Sequence, residues 1–370
     1  MLLPMLPVLK PKTYEQAAAE LRDAAAKGIV MPQGGGTKPW GPPAPPGAMV
    51  LETGGLNRIL EHNVGDFTAV LEAGVPLAEA QAEFASARQM LAVDPALNEH
   101  ATVGGVMASA DSGPLRHRYG SMRDLVVGAT VALSDGTLAR SGGKVIKNVA
   151  GYDLAKLFTG SFGTLGLIVR VAVRLHPLPP RTVTATGASD DPDRLGAAAV
   201  ALAAQPLEAD CLDVEWREGA GRLLVRFGSA AAPQQAQAIA ERMRSLGLED
   251  ATTADDDDEL WMAQRVHQRG ACVLKVSGRI TDLPAVCRTG ARVVGRAGLG
   301  LYWLALDPGA VPAVREQLAP RACMLLDGPP ELRAHAWPAV DPGALAVMAR
   351  VKERFDPSRI FRPGTFVGGI

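Results

Sequence analysis

Three glycine-rich turns, separated by long stretches of chain, lie in the first half of this sequence. They occupy residues 31–38 (MPQGGGTK), 102–105 (TVGG) and 160–166 (GSFGTLG). Glycine permits positive φ, and consecutive backbone N–H groups in a turn form a concave anion site. One such turn is weak evidence. Three of them in an apolar α/β stretch predict a long ligand with a diphosphate in its middle.

Length and composition limit the class of protein. A chain of 370 residues is long enough for two domains that each bury a core. Hydrophobic residues make up 47% and charged residues 21%, which is typical of a soluble globular protein. The formal net charge is -1, and the basic residues are scattered rather than clustered. We therefore expect no nucleic-acid partner.

The cysteines indicate neither metal nor disulfide chemistry. Cys211, Cys272, Cys287 and Cys323 are widely spaced, and no C-x-x-C pair is present that could hold zinc or an iron–sulfur cluster. We expect reduced, buried thiols and no metal site. Residues 1–10 lack the basic start of a signal peptide, and no apolar run reaches the length of a membrane helix. The expected location is the cytoplasm, with peripheral docking on the inner membrane through a complex left open.

Periodicity in the first half predicts a small βαβ-type unit. Residues 15–26 have helical spacing with Thr13 as the N-cap, and short apolar strands are expected at 29–31 and 49–51. The pair Asp135-Gly136 between alternating apolar residues predicts a β-hairpin. No G-x-G-x-x-G follows the first strand, and no P-loop is present, which disfavours nicotinamide and P-loop folds.

A proline cluster at residues 175–180 predicts a domain boundary, because neither helix nor sheet continues through it. Beyond it the pattern strand, helix, strand, strand, helix, strand occurs twice. This predicts an antiparallel sheet with helices on one face. The acidic run at 255–259 is expected to begin a helix, where negative charge suits the helix dipole.

Several of these segments together resemble the FAD-binding domain of the vanillyl-alcohol oxidase superfamily. The resemblance rests on residues 98–177, on QGGGT at 33–37, and on FDP at 355–357 with PG at 363–364. Within the family, KNVAGYDL at 147–154 and the short chain look closest to the small FAD-binding subunit of bacterial glycolate oxidase. The resemblance implies an α+β fold.

The implied architecture has three parts. A two-subdomain PCMH-type FAD-binding domain is expected at 1–178, a smaller α+β cap domain with an antiparallel sheet at 179–335, and a C-terminal segment at 336–370 that returns to the FAD domain.

The resemblance also assigns residues to FAD, residue by residue. The first glycine turn would bind the diphosphate, the second would pass beside the ribityl chain and the flavin, and the third would lie at the adenosine end. The expected cofactor-binding residues are Gln33, Gly34, Gly35, Gly36, Thr37, Lys38, Thr102, Gly104, Gly105, Ser109, Gly113, Gly120, Asp124, Gly163, Thr164, Gly166 and Ile168. Lys38 is expected to point outward.

Departures from the family pattern refine this expectation. No His or Cys lies beside the first glycine turn, so FAD is expected to be held non-covalently. The His-x-Gly-Asp-Gly-Asn segment of the larger hydroxy-acid dehydrogenases is absent, and Arg362 stands where the family usually has Asn. Catalytic residues stay unassigned. Available bases and cations are His267, His335, Arg279 and Arg333 in the second half, with His100, Arg116 and His117 inside the flavin region.

These features favour an FAD-dependent oxidoreductase, specifically the FAD-binding subunit of a glycolate or D-lactate type 2-hydroxy-acid oxidoreductase complex. The resemblance implies a larger homologous FAD-binding subunit and an iron–sulfur subunit as partners, with electron transfer as the role of the flavin. One alternative is a self-sufficient small flavin oxidase or dehydrogenase of an alcohol or hydroxy acid. Another is a scaffold that has lost FAD.

Overall fold

The computed structural model describes residues 6–26, 28–97, 99–144, 152–255 and 257–370. Positions 147–151 of the KNVAGYDL string lie outside these residues. The chain divides into two compact units. The first comprises Met1–Asp111, Ser121–Leu178 and Ala339–Ile370, and the second comprises Ser112–Gly120 and Pro179–Pro338.

The strands are short in the first unit and longer in the second. In chain order they are β1 (Val8–Leu9), β2 (Val30–Gln33), β3 (Met49–Glu52), β4 (Ile59–Asn63), β5 (Thr68–Glu72), β6 (Gln89–Met90), β7 (Val126–Ala132), β8 (Leu138–Gly142), β9 (Leu167–Arg174), β10 (His176–Pro177), β11 (Val183–Ser189), β12 (Cys211–Arg217), β13 (Ala220–Phe227), β14 (Glu249–Ala254), β15 (Val273–Ser277), β16 (Arg292–Arg296), β17 (Leu301–Ala305) and β18 (Ala322–Asp327).

The helices alternate with these strands. They are α1 (Tyr14–Ala25), α2 (Leu77–Ser86), α3 (Val103–Ser109), α4 (Arg116–Tyr119), α5 (Met122–Leu125), α6 (Ala155–Phe158), α7 (Pro192–Ala203), α8 (Ala232–Ser245), α9 (Asp258–Val266), α10 (Leu283–Cys287), α11 (Val311–Gln317), α12 (Pro330–Arg333) and α13 (Pro342–Phe355).

The first unit contains two main sheets, as the PCMH-type α+β prediction requires. One is a parallel sheet of order β1-β3-β2, and the other is an antiparallel sheet of order β4-β5-β9-β7-β8. Thr13 caps α1 by accepting a hydrogen bond from the Gln16 amide. The predicted hairpin joins β7 to β8, with Gly136 at a φ of 80° that its turn requires. The fold class and these local predictions are confirmed.

The C-terminal segment completes the core of the first unit. Ile360 and Phe361 are buried against Leu21, Leu51 and Val169, which belong to α1, β3 and β9. The Val30 amide donates to the Ile360 carbonyl, and the Arg362 amide donates to the Val30 carbonyl. The end of the chain therefore runs beside β2, the strand that leads into the first glycine turn.

The second unit is built on one eight-stranded antiparallel sheet of order β14-β11-β13-β12-β16-β17-β15-β18. The order consists of two ferredoxin-like halves, each with the pattern strand, helix, strand, strand, helix, strand. The halves join where β12 pairs with β16, at Val214–Gly295, Glu215–Val294 and Trp216–Val293. Side chains of α7, α8, α10 and α11 share one buried apolar cluster with these strands. The prediction of two repeated rounds is confirmed.

The segment Ser112–Gly120 differs from the sequence prediction. It was expected in the first domain, yet it groups with the second unit. The reason is packing on β12 and its neighbours: the Tyr119 hydroxyl donates to the Asp210 carboxylate at 3.3 Å, and Arg118 lies 3.5 Å from the same carboxylate. The chain passes from the first unit to the second after Leu178, and it returns to the first unit after Pro338.

Other predictions concern the acidic run and the cysteines. α9 begins within the acidic run, as predicted, but Asp257 is buried and accepts hydrogen bonds from Thr182, Thr184 and Arg226. The four cysteines are buried and are not joined in disulfide bonds. In the part of the chain that the structure describes, no cluster of potential metal ligands is found. Among the same residues, none of the helices has both the length and the apolarity that crossing a bilayer demands.

Candidate functional site

The first glycine turn packs on the residues that lead into α3. A Cβ added to Gly34 would lie 2.1 Å from the Thr102 Oγ1, and one added to Gly35 would lie 1.7 Å from the His100 carbonyl oxygen. Neither position can hold a side chain without moving the backbone of residues 100–102. The first and second glycine turns are therefore in direct contact.

The third glycine turn packs on the other end of α3. The Gly160 amide donates to the Met107 carbonyl at 3.0 Å, and the Phe162 amide donates to the Ala108 carbonyl at 2.8 Å. A Cβ on Gly163, which has a φ of 73°, would be 3.6 Å from the Pro32 Cβ. The turn thus reaches back to the strand that precedes the first turn, and all three turns surround α3.

The backbone of the first turn is suited to an anion. Gly36 has a φ of 66°, and both Gly35 and Gly36 are exposed. Among the described residues, the Gly34, Gly35 and Gly36 amides make no hydrogen bond. Three consecutive unsatisfied N–H groups in a glycine turn are what a diphosphate requires. The residues present therefore fit a dinucleotide cofactor.

The second turn is tied to the protein rather than open. Thr102 caps α3 by accepting from the Gly105 amide at 3.2 Å, while the Val103 and Gly104 amides donate to the Val75 and Ala73 carbonyls. A Cβ on Gly104 would lie 2.5 Å from the Ala73 Cβ. Glycine at 104 is thus explained by the close approach of α3 to the end of β5.

The third turn is held in place by a buried lysine of α13. The Lys352 Nζ donates to the Thr164 carbonyl at 2.7 Å, to the Phe361 carbonyl at 2.8 Å and to the Asp356 carboxylate at 2.7 Å. Burial lowers the pKa of the Lys352 ammonium, and hydrogen bonding to Asp356 opposes this shift. Sequence reasoning missed Lys352, although its spacing of four residues from Asp356 on a helix was a usable signal.

Lys38 is not directed outward as predicted. Its side chain is only 9% exposed, and its ammonium lies 3.4 Å from the Asp111 carboxylate, which is 6% exposed. It also donates to the Thr37 hydroxyl at 3.2 Å. The positive charge of Lys38 is therefore paired with a carboxylate inside the protein.

The remaining predicted cofactor residues have varied surroundings. The Ser109 hydroxyl donates to the Gly105 carbonyl, and the Asp124 carboxylate accepts from Ser121 at the start of α5. Thr164 is buried and donates to the Ser161 carbonyl. Gly113 and Gly120 flank α4 in the second unit.

Gly166 and Ile168 lie at the start of β9. A Cβ on Gly166 would be 2.7 Å from the Val131 Cγ1, and Ile168 is buried in the register position opposite Val131. Gln33 ends β2 with its side chain near Gly36. Assignment of the predicted residues to particular parts of the cofactor stays a proposal.

The candidate bases and cations of the second unit lie on different elements. His267 follows α9, and burial followed by the charge of Arg292 lowers its pKa. Arg279 precedes a short 3-10 helix, Arg333 ends α12, and His335 comes shortly after it. Of the histidines in the flavin region, His117 is half-buried and packs near Gly298, and desolvation by this partial burial lowers its pKa.

A cluster of charged side chains on the central strands was not foreseen. Arg296 and Asp213 are fully buried and form an ion pair at 2.5 Å. The Arg296 guanidinium lies 4.8 Å from the Trp303 ring centroid, and the Lys275 ammonium lies 5.6 Å from it. The only sequence signal was a charged residue in each of several otherwise apolar strands.

Comparison with known proteins supports an FAD-binding domain. A family model described as an FAD-binding domain matches residues 5–142. The D-lactate dehydrogenase of Archaeoglobus fulgidus is 33% identical over 272 residues, which are 68% of this chain and 61% of that protein. Glycolate oxidase subunit GlcE of Escherichia coli is 38% identical over 122 residues, 33% of this chain and 35% of that protein.

Two further matches extend the comparison. Glycolate oxidase subunit GlcD of Bacillus subtilis is 37% identical over 175 residues, 46% of this chain and 37% of that protein. The solved structure of an alkyldihydroxyacetonephosphate synthase superposes with a TM-score of 0.72 at 15% identity, covering 95% of this chain and 76% of that chain. The chain spans 61%, 37% and 35% of the lengths of the three curated relatives.

The fold and the three glycine turns define a PCMH-type FAD-binding protein. FAD is the cofactor for which the family model and the flavoprotein relatives provide support. The family model, these relatives and the shared fold support the vanillyl-alcohol oxidase superfamily, whose members are FAD-dependent oxidoreductases.

Proposed function

We propose that this chain is the FAD-binding subunit of a glycolate or D-lactate type 2-hydroxy-acid oxidoreductase complex. The proposal is supported by the glycine turn at Gly34–Gly36, whose amides make no hydrogen bond to the described residues, in a chain similar to two proteins named as glycolate oxidase subunits. FAD supplies the redox chemistry when bound. The residues of the three turns bind and orient it.

A complex is proposed because the chain is similar to two proteins named as glycolate oxidase subunits, GlcD and GlcE. The sequence has no Cys spacing for an iron–sulfur cluster and no His-x-Gly-Asp-Gly-Asn segment. A larger homologous FAD-binding subunit and an iron–sulfur subunit would supply them. The complex would act in the cytoplasm, with any attachment to the inner membrane made through its other chains.

Affinity purification of the tagged chain from its native cells tests the complex. The expected result is copurification of a larger flavoprotein and an iron–sulfur protein in stable ratio. Omitting the tag from an otherwise identical strain is the control. Recovery of this chain alone, with full 2-hydroxy-acid oxidation, contradicts the proposal.

Anaerobic addition of D-lactate or glycolate to the isolated chain separates the two enzyme hypotheses. A subunit without its own substrate site keeps most of its flavin absorbance, whereas a self-sufficient dehydrogenase loses it. Complete bleaching would therefore defeat the subunit proposal. Dithionite serves as the control that the flavin can be reduced at all.

Non-covalent attachment of FAD is part of the proposal. The first turn contains neither His nor Cys, but the structure brings the His100 backbone against Gly35. Acid precipitation of the purified protein should leave the flavin in the supernatant. Flavin retained in the pellet would contradict non-covalent binding. If the flavin then moved to the supernatant in an H100A variant, His100 would be identified as the site of the covalent bond.

A further inference from the structure

Arg362 joins the two ends of the first glycine turn. Its Nη2 donates to the Trp40 carbonyl at 3.1 Å, and its Nη1 lies 3.5 Å from the Pro32 carbonyl. Pro32 precedes the turn and Trp40 follows it. One guanidinium thus bridges both ends of the loop whose glycine amides are unsatisfied.

The third turn also meets this side chain. A Cβ added to Gly163 would be 3.5 Å from the Arg362 Cδ. Arg362 therefore lies where the first glycine turn, the third glycine turn and the C-terminal segment come together. Its own φ is 41°, in the left-handed region that non-glycine residues rarely adopt and that is concentrated at functional sites.

The charge of Arg362 lacks an anionic partner among the described residues. No carboxylate lies within ion-pair distance, and its buried Nε has no hydrogen-bond partner there. Burial alone lowers the pKa of its guanidinium. By contrast, Lys38 is paired with Asp111 and Lys352 with Asp356.

Arg362 is half-buried, and a cation withdrawn from water without a counter-ion is unfavourable unless a ligand supplies the charge. The Gly34–Gly36 amides belong to the turn whose two ends Arg362 bridges, and the FAD diphosphate carries negative charge. We propose that Arg362 is a cofactor-positioning residue, which holds the first glycine turn closed and balances the charge of the diphosphate. This inference depends on FAD binding and not on the proposed membership of a complex.

FAD titration of the apoprotein tests the proposal without any activity measurement. R362Q removes the charge and keeps a polar side chain, and the dissociation constant for FAD should rise about 10- to 100-fold, as expected for losing a charged hydrogen-bonding partner. R362K keeps a cation and should bind FAD more tightly than R362Q does. Circular dichroism melting identifies any variant that fails to fold.

Arg359 offers a matched control. It lies three positions earlier, shares a left-handed backbone with a φ of 50°, and has a side chain that is 68% exposed. R359Q should bind FAD within about twofold of wild type, a difference below about 0.5 kcal/mol.

Salt dependence distinguishes charge balance from a purely structural effect. Raising NaCl from about 0.05 M to about 0.5 M should weaken FAD binding to the wild type more than to R362Q, because salt screens charge–charge attraction. Three results would each overturn the proposal: R362Q binding within twofold of wild type, R362K as weak as R362Q, or equal salt dependence in wild type and R362Q.

Discussion

The Lys352 ammonium lies 2.7 Å from the Thr164 carbonyl and, by its bonds to Asp356 and Phe361, fastens the third glycine turn to the C-terminal segment. The lysine side chain is only 4% exposed and Asp356 is fully buried. A buried cation with three acceptors fixes the turn more firmly than surface contacts could.

Replacing this lysine should destabilise the first unit. K352M leaves the Asp356 carboxylate buried without its cation, so the free energy of unfolding should fall by about 3–5 kcal/mol. Urea denaturation measures the change. R350M, on the exposed side of the same helix, is the matched control. If K352M and R350M have the same free energy of unfolding, Lys352 does not stabilise the first unit in this way.

Gly35 should not tolerate alanine. The added methyl would lie 1.7 Å from the His100 carbonyl, so the turn has to move and its amides lose their arrangement. We expect G35A to bind FAD at least about tenfold more weakly, a loss of about 1.4 kcal/mol or more. Flavin content and FAD titration measure this. G54A, where a Cβ meets nothing within 4 Å, should bind FAD normally. The same affinity in both variants would show that the turn is not the site.

The half-buried side chain of His117 should make the free energy of unfolding depend on pH. Burial lowers its pKa below the ordinary 6.5, so the unfolded chain takes up the proton at a higher pH than the folded one. The free energy of unfolding should therefore fall as pH drops through about 6.5, until the folded pKa is passed. H117Q should flatten this dependence in denaturation curves collected between about pH 5 and pH 8. If the free energy of unfolding depends on pH in the same way in the wild type and in H117Q, then His117 does not contribute to this dependence.

The Asp213–Arg296 pair should behave as a coupled unit. D213L alone leaves a buried guanidinium without its partner and should cost about 3–5 kcal/mol of unfolding free energy. The double variant D213L/R296M removes both charges and should cost clearly less than the sum of the two single changes. Guanidinium denaturation of the wild type, the two single variants and the double variant gives the four free energies of this double-mutant cycle. Strict additivity would mean that the two side chains do not stabilise each other.

Much of the fold could be predicted from local sequence patterns. The helix after Thr13, the hairpin at Gly136 and the two rounds of strands and helices in the second half all follow from residues close in sequence. Short-range spacing determines which face of a strand or helix is apolar, and this is enough to predict such elements. The glycine turns were recognisable for the same reason.

Long-range pairings could not be predicted in this way. The attachment of Ser112–Gly120 to the second unit depends on Tyr119 meeting Asp210, and the burial of Lys38 depends on Asp111. The Asp213–Arg296 pair joins residues on neighbouring strands that are far apart along the chain. Each contact is fixed by tertiary packing, for which a single sequence carries no local signal.

The bond from Arg362 to Pro32 connects residues 330 positions apart. During synthesis the glycine loop emerges from the ribosome early, but its two ends stay unjoined until residue 362 follows. A nascent chain that ends before residue 362 contains the amides of the loop but lacks the guanidinium that bridges its two ends. The loop can therefore be closed by this side chain only after residue 362 has been synthesised.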